Sequence, residues 1–289
     1  MSSIRFLEAI LGGPVLADGA MGTMLQRHGM DAGECPELWN VEHPDAVKHV
    51  CTAYVEAGSD MISTNTFGGT RIKLACYGLE NRAAELNAAG VSLARHAAGD
   101  ECFVMASLGP TGQFLEPLGN LRFADVSDAF AQAAGAQASA GADAILLETF
   151  SDLDELKAAL EGARRSGLPC LCTMAFDTGG RTMMGVKPSS AASELTSAGA
   201  DGVGANCGVG PEGMLQVISE IRASTDIPVI AQPNAGLPKV MGGQVVYDAT
   251  PAELAGFAVE CARLGVNVVG ACCGSTPDHI REMKKRLKV

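Results

Sequence analysis

The stretch Ala140-Gly141-Ala142-Asp143-Ala144-Ile145-Leu146-Leu147 contains the unit from which the fold can be predicted. An Ala-rich segment with helical spacing precedes the glycine, and a short apolar run without alternation follows the aspartate. Glycine suits the left-handed position that ends a helix, and a non-alternating apolar run is typical of a strand buried on both faces. The unit therefore predicts a helix, a glycine stop, a tight turn and a buried strand.

The same unit recurs along the chain. Its other copies are Ala57-Gly58-Ser59-Asp60, Ala198-Gly199-Ala200-Asp201 and, more loosely, Leu264-Gly265-Val266-Asn267. We predict eight buried strands, at residues 15–17, 61–63, 103–106, 144–147, 170–173, 202–205, 228–231 and 266–269. Helical patterns separate them, for example over residues 127–140, 153–166 and 251–264. Strand and helix in alternation predict a parallel sheet, and eight such units predict an α/β fold of the (β/α)8 TIM barrel type.

The alternative fold is a doubly wound open sheet, but the Gly-rich dinucleotide fingerprint is absent after the first predicted strand. No linker or low-complexity stretch divides the chain, so we expect one domain over residues 1–289. A composition of 47% hydrophobic and 19% charged residues fits a globular core and excludes a disordered chain.

Charge and composition also bear on partners and location. The 21 basic and 33 acidic residues give a formal charge of −12, which would repel a nucleic-acid backbone. The basic cluster Lys284, Lys285, Arg286 and Lys288 is predicted to finish a helix, where cations face the negative end of the dipole. The N-terminus does not resemble a signal peptide, and no apolar run is long enough to span a membrane. We therefore expect a cytoplasmic protein without nucleic-acid or membrane partners.

Polar and sulfur-bearing residues follow the predicted strands, at the end where such barrels carry their chemistry. Asp18 follows the first strand, Glu148 the fourth, Cys207 the sixth, and Cys272 and Cys273 the eighth. Three thiolates suit zinc and leave a fourth position open for a substrate. Spacing alone leaves two other interpretations open, a vicinal disulfide between Cys272 and Cys273 or ordinary packing. The scattered cysteines are predicted to be small buried packing residues: Cys51, Cys76, Cys102, Cys170, Cys172 and Cys261.

An open zinc site lined by thiolates favours alkyl transfer to sulfur, because zinc would bind a substrate thiol as its thiolate. Asp18 and Glu148 could serve acid–base chemistry or clasp an ammonium group, and either one alone could simply cap a helix. The backbone of residues 19–22 could contact a substrate carboxylate. Together these groups describe a small thiol amino acid.

Five motifs resemble those of the homocysteine S-methyltransferase family. They are Asp18-Gly19-Ala20-Met21-Gly22-Thr23, Thr64-Asn65-Thr66-Phe67, Glu148-Thr149, Gly204-Ala205-Asn206-Cys207 and Gly270-Ala271-Cys272-Cys273-Gly274. The resemblance covers essentially the whole chain, and one cysteine followed by a Cys-Cys pair in that order is specific. It implies zinc-dependent methyl transfer to L-homocysteine giving methionine, with one Zn²⁺ per chain held by Cys207, Cys272 and Cys273 as catalytic centre.

The resemblance also implies which residues bind homocysteine: Asp18, Gly19, Ala20, Thr66, Glu148 and Asn234. Within the family, the opening motif is closest to the homocysteine-binding module of cobalamin-dependent methionine synthase. The Asp-x-His-x-x-Gly corrinoid motif of that enzyme does not occur in this sequence. We therefore expect the donor to be a methylcobamide carried by a separate corrinoid protein, with a small donor such as S-methylmethionine or a betaine as the alternative.

Another alternative is a barrel lyase or aldolase with a structural zinc, although no lysine at a predicted strand end could form a Schiff base. A non-catalytic methyl-acceptor subunit that needs a partner is also open. Residues 111–123, with Gly112, Pro117 and Gly119, are predicted to form a lid or docking loop over the barrel mouth, or else an ordinary surface connection.

Overall fold

A computed structural model of the chain describes residues 3–241 and 244–287. The strands within these residues are β1 (Val15–Leu16), β2 (Met61–Ser63), β3 (Phe103–Leu108), β4 (Ala144–Phe150), β5 (Cys170–Met174), β6 (Gly202–Asn206), β7 (Val229–Gln232), β8 (Lys239–Met241), β9 (Gln244–Val246) and β10 (Val268–Val269). Eight of them form one parallel sheet in the order β1-β10-β7-β6-β5-β4-β3-β2. β8 and β9 form a separate antiparallel hairpin that the sequence did not predict.

The two edge strands of the sheet, β1 and β2, face each other and nearly close it. The N–H of Asp60, just before β2, donates to the carbonyl of Leu16 in β1 at 2.8 Å. The predicted TIM barrel is therefore confirmed, with each predicted strand at its expected place along the chain.

Helices follow the strands and surround the barrel. Within the described residues they are α1 (Ser3–Leu11), α2 (Gly22–Arg27), α3 (Trp39–Glu42), α4 (Pro44–Glu56), α5 (Arg71–Leu74), α6 (Ala83–Ala98), α7 (Phe123–Ser139), α8 (Leu153–Ala163), α9 (Pro188–Ser197), α10 (Pro211–Arg222), α11 (Pro251–Arg263) and α12 (Pro277–Leu287). Short 3-10 turns lie at Pro36–Leu38, Ala75–Tyr77, Glu80–Arg82 and Arg164–Ser166. None of these helices combines the length and apolarity needed to cross a membrane.

The helix ends follow the predictions closely. α7 begins at Phe123 rather than at residue 127, because Arg122 pairs with Asp125 and extends the first turn. The basic cluster does finish α12, where Lys284 bonds to Asp60 at 2.7 Å and Arg286 to Glu282 at 3.2 Å. Lys288 lies outside the described residues.

The aspartate of the repeated unit fixes neighbouring strands to one another. The N–H of Asp143, before β4, donates to the carbonyl of Val104 in β3, and its Oδ2 accepts from the Val104 N–H, both at 2.9 Å. The other copies make the same pair of bonds at 2.8 to 3.0 Å: Asp60 with Leu16, Asp201 with Cys170, and Asn267 with Val229. The four copies therefore set the register of β2, β4, β6 and β10, each against the barrel strand that precedes it in the chain.

Helix α1 fills the amino end of the barrel. Phe6 and Ile10 are fully buried and pack with inward-facing residues of the strands, such as Met105 and Leu146. The ring of Phe6 meets the ring of Phe103 edge to face, with centroids 5.4 Å apart. The opposite, carboxyl end of the barrel is where the polar strand ends meet.

Candidate functional site

Three predicted site residues come together at the carboxyl end of the barrel. Cys207 follows β6, and Cys272 and Cys273 follow β10. Within the described residues, they form the only group of three or more potential metal ligands whose donor atoms all lie within 4.8 Å of one another. The Sγ of Cys273 lies 3.8 Å from that of Cys207 and 4.0 Å from that of Cys272. All three thiols are free, so the structure does not contain the vicinal disulfide left open by the spacing.

The spacing of these thiols fits a zinc ion. A tetrahedral zinc with Zn–S bonds near 2.3 Å holds its sulfur ligands about 3.8 Å apart. The separations of 3.8 and 4.0 Å agree with that value before any adjustment of the side chains. Cys207 has a φ of 59°, a left-handed conformation that is strained for a residue with a side chain. The fold holds it there through a bond from its N–H to the carbonyl of Gln232 at 3.0 Å.

The three thiols interact strongly with one another. Hydrogen bonds from the Cys272 and Cys273 thiols, with a further one from Asn234, hold the pKa of Cys207 below its usual value. The same interaction with Cys207 raises the pKa of Cys272 and of Cys273. Cys207 is therefore the thiol of the three that ionises most easily, and a cation bound to the cluster would displace the thiol protons.

The cysteines outside this cluster were predicted to pack in the interior. Five of them are buried, as predicted: Cys51, Cys102, Cys170, Cys172 and Cys261. Cys76 is exposed, so that prediction is wrong for this residue. It lies in a surface 3-10 turn, Ala75–Tyr77, whose apolar neighbours do not cover it.

The thiols line a cavity of about 360 Å³ at the barrel mouth. Its walls come from the ends of several strands and include Gly19, Ala20, Ser63, Ser107 and Glu148. A larger and more open groove of about 690 Å³ lies to one side, between the loops after β5, β6 and β7, and contains none of the predicted site residues. Two of its carboxylates are engaged locally: Glu220 bonds to Ser189, and Asp248 pairs with Lys239. The chemistry therefore belongs to the smaller cavity.

Glu148 is the carboxylate of the predicted pair that lines this cavity. It accepts hydrogen bonds from the Ser107 hydroxyl and, at 2.9 Å, from the Asn206 side-chain amide. Burial raises the pKa of Glu148 to about 7, and the nearby charge of Asp18 adds to the rise, while the bond from Ser107 opposes it. A cation placed beside this carboxylate would relieve the cost of its burial.

Asp18 lies behind the cavity wall. Only 1% of its surface is exposed, and it accepts bonds from the N–H of Ser63 at 2.7 Å and from the Ser63 hydroxyl at 3.1 Å. Burial raises the pKa of Asp18 to about 7, although the bonds from Ser63 lower it. Its predicted contact with an ammonium group stays a prediction, because its observed contacts are with Ser63, which itself lines the cavity.

The first loop lines the cavity and contains unpaired backbone donors. Residues 19–22 all line it, and within the described residues the N–H groups of Gly19, Met21 and Gly22 have no hydrogen-bond partner. The N–H of Ala20 instead donates to the Ser275 hydroxyl at 3.0 Å. A Cβ at Gly19 would lie 2.4 Å from the Ser275 Oγ, so only glycine fits there. Unpaired N–H groups at one wall suit an anionic ligand group.

Two other predicted residues lie next to the cavity rather than on its surface. Thr66 is fully buried and its hydroxyl donates to the carbonyl of Ser107 at 2.8 Å, which supports the wall. Asn234 is 4% exposed and lies beside Cys207, and its Oδ1 has no hydrogen-bond partner among the described residues. Their predicted roles toward substrate stay predictions.

The segment predicted as a lid or docking loop begins at an anchored residue. The N–H and hydroxyl of Thr111 donate to the buried Glu155 at 2.7 and 2.6 Å. Beyond it the chain folds into a turn closed by a bond from Glu116 N–H to the Leu121 carbonyl, with Phe114 and Leu118 exposed. No residue from 112 to 123 lines the cavity, and a role in docking stays a prediction.

Several residues at the site were missed as functional candidates. Asn206 and Ser107 bond directly to Glu148, and Ser63 holds Asp18. Lys73 on α5 is the one basic side chain lining the cavity among the described residues. The sequence gives only weak signals for these roles. The bonds of Asn206, Ser107 and Ser63 cross between strands and depend on a register that the sequence does not give. Lys73 lies on a helix rather than at the end of a strand.

This fold and site define a (β/α)8 barrel with a cluster of three cysteines at its carboxyl end that could hold a metal ion. Comparison with known proteins is more specific: the homocysteine S-methyltransferase family matches residues 15–287, and the chain belongs to that family. The resemblance found in the motifs is thereby confirmed, and the family is one of methyltransferases.

Named relatives agree with this assignment. The chain is 35% identical over 288 residues to a methionine synthase of Mycobacterium tuberculosis, covering 93% of the chain and 24% of that protein. A methionine synthase of Mycobacterium leprae is 34% identical over 296 residues, covering 96% of the chain and 24% of that protein. The chain thus spans about a quarter of the length of these relatives.

Solved structures share the fold. The metallated homocysteine methyltransferase MmuM of Escherichia coli matches with a TM-score of 0.79 and 23% identity, over 97% of this chain and 99% of that one. A methyltransferase from Methanosarcina mazei matches with a TM-score of 0.61 and 13% identity, over 99% and 98% of the two chains. At these identities the matches support the barrel itself.

Proposed function

We propose that this chain transfers a methyl group to the thiolate of L-homocysteine and so forms methionine. One observation carries the proposal: a single cavity is lined by the three thiols, the half-buried Glu148 and the first loop with its unpartnered N–H groups. The thiol, the ammonium and the carboxylate of homocysteine each have a matching group there. Membership of the homocysteine S-methyltransferase family supports the same reaction.

Cys207, Cys272 and Cys273 would hold one zinc ion, which when bound keeps a substrate thiol ionised at neutral pH. A free thiol with a pKa near 8.5 is only about 3% ionised at pH 7, so full ionisation gains roughly 30-fold, or about 2 kcal/mol in the barrier. Free cysteines stay reduced in the cytoplasm, which is where we propose that the protein works.

The protein groups around the cluster orient the substrate. Glu148 would bind the ammonium group, and the N–H groups of Gly19, Met21 and Gly22 would bind the carboxylate. With both ends held in this way, the substrate sulfur would lie at the cysteine cluster. No general base would be needed, because zinc held by the three cysteines would keep the thiol ionised.

For the donor, we propose a methyl group carried on the corrinoid of a partner protein. The resemblance of the opening motif to the cobalamin-dependent branch favours this donor. Large apolar side chains are also exposed on the loops after the strands, around the mouth: Phe67, Phe114, Leu118, Met183, Val240 and Val245. Exposed apolar side chains concentrated on one face suit contact with another protein surface.

The test is methionine formation by the purified zinc-loaded protein. L-Homocysteine is supplied with methylcobalamin, S-methylmethionine or glycine betaine in separate reactions, and methionine is measured by mass spectrometry. We expect methionine from methylcobalamin in the wild type and none from Cys207→Ala. Methionine from a small donor alone would preserve methyl transfer and refute the corrinoid donor. No methionine from any donor would refute the proposal and favour the lyase alternative.

A further inference from the structure

We propose that Asn206 is a positioning residue that aims the Glu148 carboxylate at the substrate ammonium group. This inference rests on the proposed function, since it needs homocysteine in the cavity. Asn206 ends β6 and is fully buried. Its Nδ2 lies 2.9 Å from Glu148 Oε2, 2.7 Å from Thr149 Oγ1 and 3.9 Å from Cys272 Sγ. One amide group thus contacts both the carboxylate and the cysteine cluster.

The orientation of this amide follows from its neighbours. The Oδ1 of Asn206 accepts from the backbone N–H of Thr149 at 2.8 Å and from the Thr173 hydroxyl at 2.7 Å. A backbone N–H can only donate, so the oxygen of the amide must face Thr149. The NH₂ group is therefore turned toward Glu148 and Cys272, both of which accept hydrogen bonds when ionised.

A distortion of β4 creates the need for this amide. The pairing between β4 and β5 is irregular between Leu147 and Phe150, and Thr149 has a φ of 67°. Irregularities of this kind redirect a side chain, and here they bring Glu148 to the cavity. They also remove the Thr149 N–H from the regular ladder, and Asn206 supplies the acceptor that it would otherwise lack. The Asn206 amide therefore stabilises the distorted part of β4 and contacts the Glu148 carboxylate that this distortion brings to the cavity.

The chemistry of an amide suits this position. It donates to the carboxylate without carrying charge, so Glu148 can still bind a cation. An aspartate at 206 would keep the acceptor for Thr149 but place a second carboxylate within 2.9 Å of Glu148 Oε2. An ionised aspartate cannot donate to Glu148, and the two carboxylates would repel, so Glu148 would move away from the position in which it faces the ammonium group. The contact with Cys272 is long, so the thiol end of the substrate should be affected much less.

The test compares two thiols that differ in the ammonium group. L-Homocysteine and 4-mercaptobutanoate, which lacks the amine, are titrated into the zinc-loaded protein by calorimetry. We expect Asn206→Asp to weaken homocysteine binding by roughly 10- to 100-fold, the loss for a hydrogen bond to a charged group. Binding of 4-mercaptobutanoate should change by less than about threefold, because this thiol has no ammonium group for Glu148 to bind. Zinc content should stay at the wild-type level.

Two further variants make the test decisive. Thr173→Val removes one of the two bonds that orient the amide, and should give a smaller loss in the same direction even if Asn206→Asp fails to fold. Asn267→Asp is the matched control, because Asn267 bonds to Val229 at the amino end of the barrel and should leave the ratio of the two affinities unchanged.

The outcomes separate the two proposals. If Asn206→Asp and Thr173→Val lose affinity for both thiols equally, or keep the wild-type ratio, Asn206 has no positioning role. If the wild type itself binds the two thiols equally well, the assignment of Glu148 to the ammonium group is wrong and this inference fails with it. If the wild type discriminates and the variants do not, both proposals stand.

Discussion

Glu148→Gln should change the number of protons that leave when homocysteine binds. In the free protein, burial raises the pKa of Glu148 to about 7, so below that pH the carboxyl is largely protonated. An ammonium group beside it favours the ionised form. Homocysteine therefore binds the ionised form of Glu148. The contribution of this carboxylate to affinity is complete above about pH 7, and the affinity falls about tenfold for each pH unit below that value.

The substrate thiol releases a second proton. With a pKa near 8.5, it gives a tenfold loss of affinity for each pH unit below about 8.5. In the wild type, a plot of the logarithm of Kd against pH should thus have a slope near −1 between about pH 7 and 8.5, and a slope near −2 below about pH 7. In Glu148→Gln the slope should stay near −1 at every pH below about 8.5. The affinity at about pH 8 should be roughly 10- to 100-fold weaker, because the charge-assisted bond is lost.

Calorimetry in buffers of different ionisation enthalpy measures the protons released directly. At about pH 6 the wild type should release nearly two protons and Glu148→Gln one, with zinc content checked at each pH. A single proton from the wild type at this pH would refute the reasoning. Loss of the second proton in Asp18→Asn, but not in Glu148→Gln, would transfer the role to Asp18, whose pKa is also raised to about 7 by burial.

Three other predictions concern the metal and the barrel. Cys207→Ala should lower zinc affinity by more than about 100-fold, measured by competition with a chelator, because two cysteines make an incomplete site. Asp201→Ala should lower the free energy of unfolding in urea by about 1 to 3 kcal/mol, since the N–H of Cys170 loses its acceptor at 2.8 Å. Asp201→Asn keeps that oxygen and should stay within about 0.5 kcal/mol; an equal loss in both variants would contradict the proposed bond. Gly204→Ala should destabilise by about 3 kcal/mol in the same assay, because its Cβ would lie 2.0 Å from the carbonyl of Ile230, and wild-type stability would contradict this.

The barrel was predictable because its signal is local and repeated. Each copy of the unit ends a helix with glycine and starts a strand three residues later. Strands buried on both faces need no alternation of apolar and polar residues. The sequence shows that the aspartate of the unit recurs, but it does not show the structural role of this residue. Its bonds to the preceding strand, as in Asp143 with Val104, appear only once the register is known. The hairpin of β8 and β9 was missed because each strand has only three residues and its valines, Val240, Val245 and Val246, are exposed rather than part of a buried run.

The site was predictable where topology alone brings residues together. Cys207 and the Cys272–Cys273 pair follow strands separated only by β7, so a closed barrel places them at one mouth. Hydrogen bonds across strands were not predictable, and they decide how each carboxylate is used. Glu148 reaches the cavity because β4 is distorted at Thr149, whereas the bonds from Ser63 keep Asp18 behind the wall.

The most direct test of zinc-bound thiolate chemistry is the X-ray absorption spectrum of the zinc-loaded protein, recorded with and without L-homocysteine. We predict three sulfur ligands and one lighter atom in the free protein, and four sulfur ligands once homocysteine is bound, because the open position accepts the substrate. A spectrum of four sulfur ligands that does not change with homocysteine would make the zinc structural and would contradict methyl transfer at this centre.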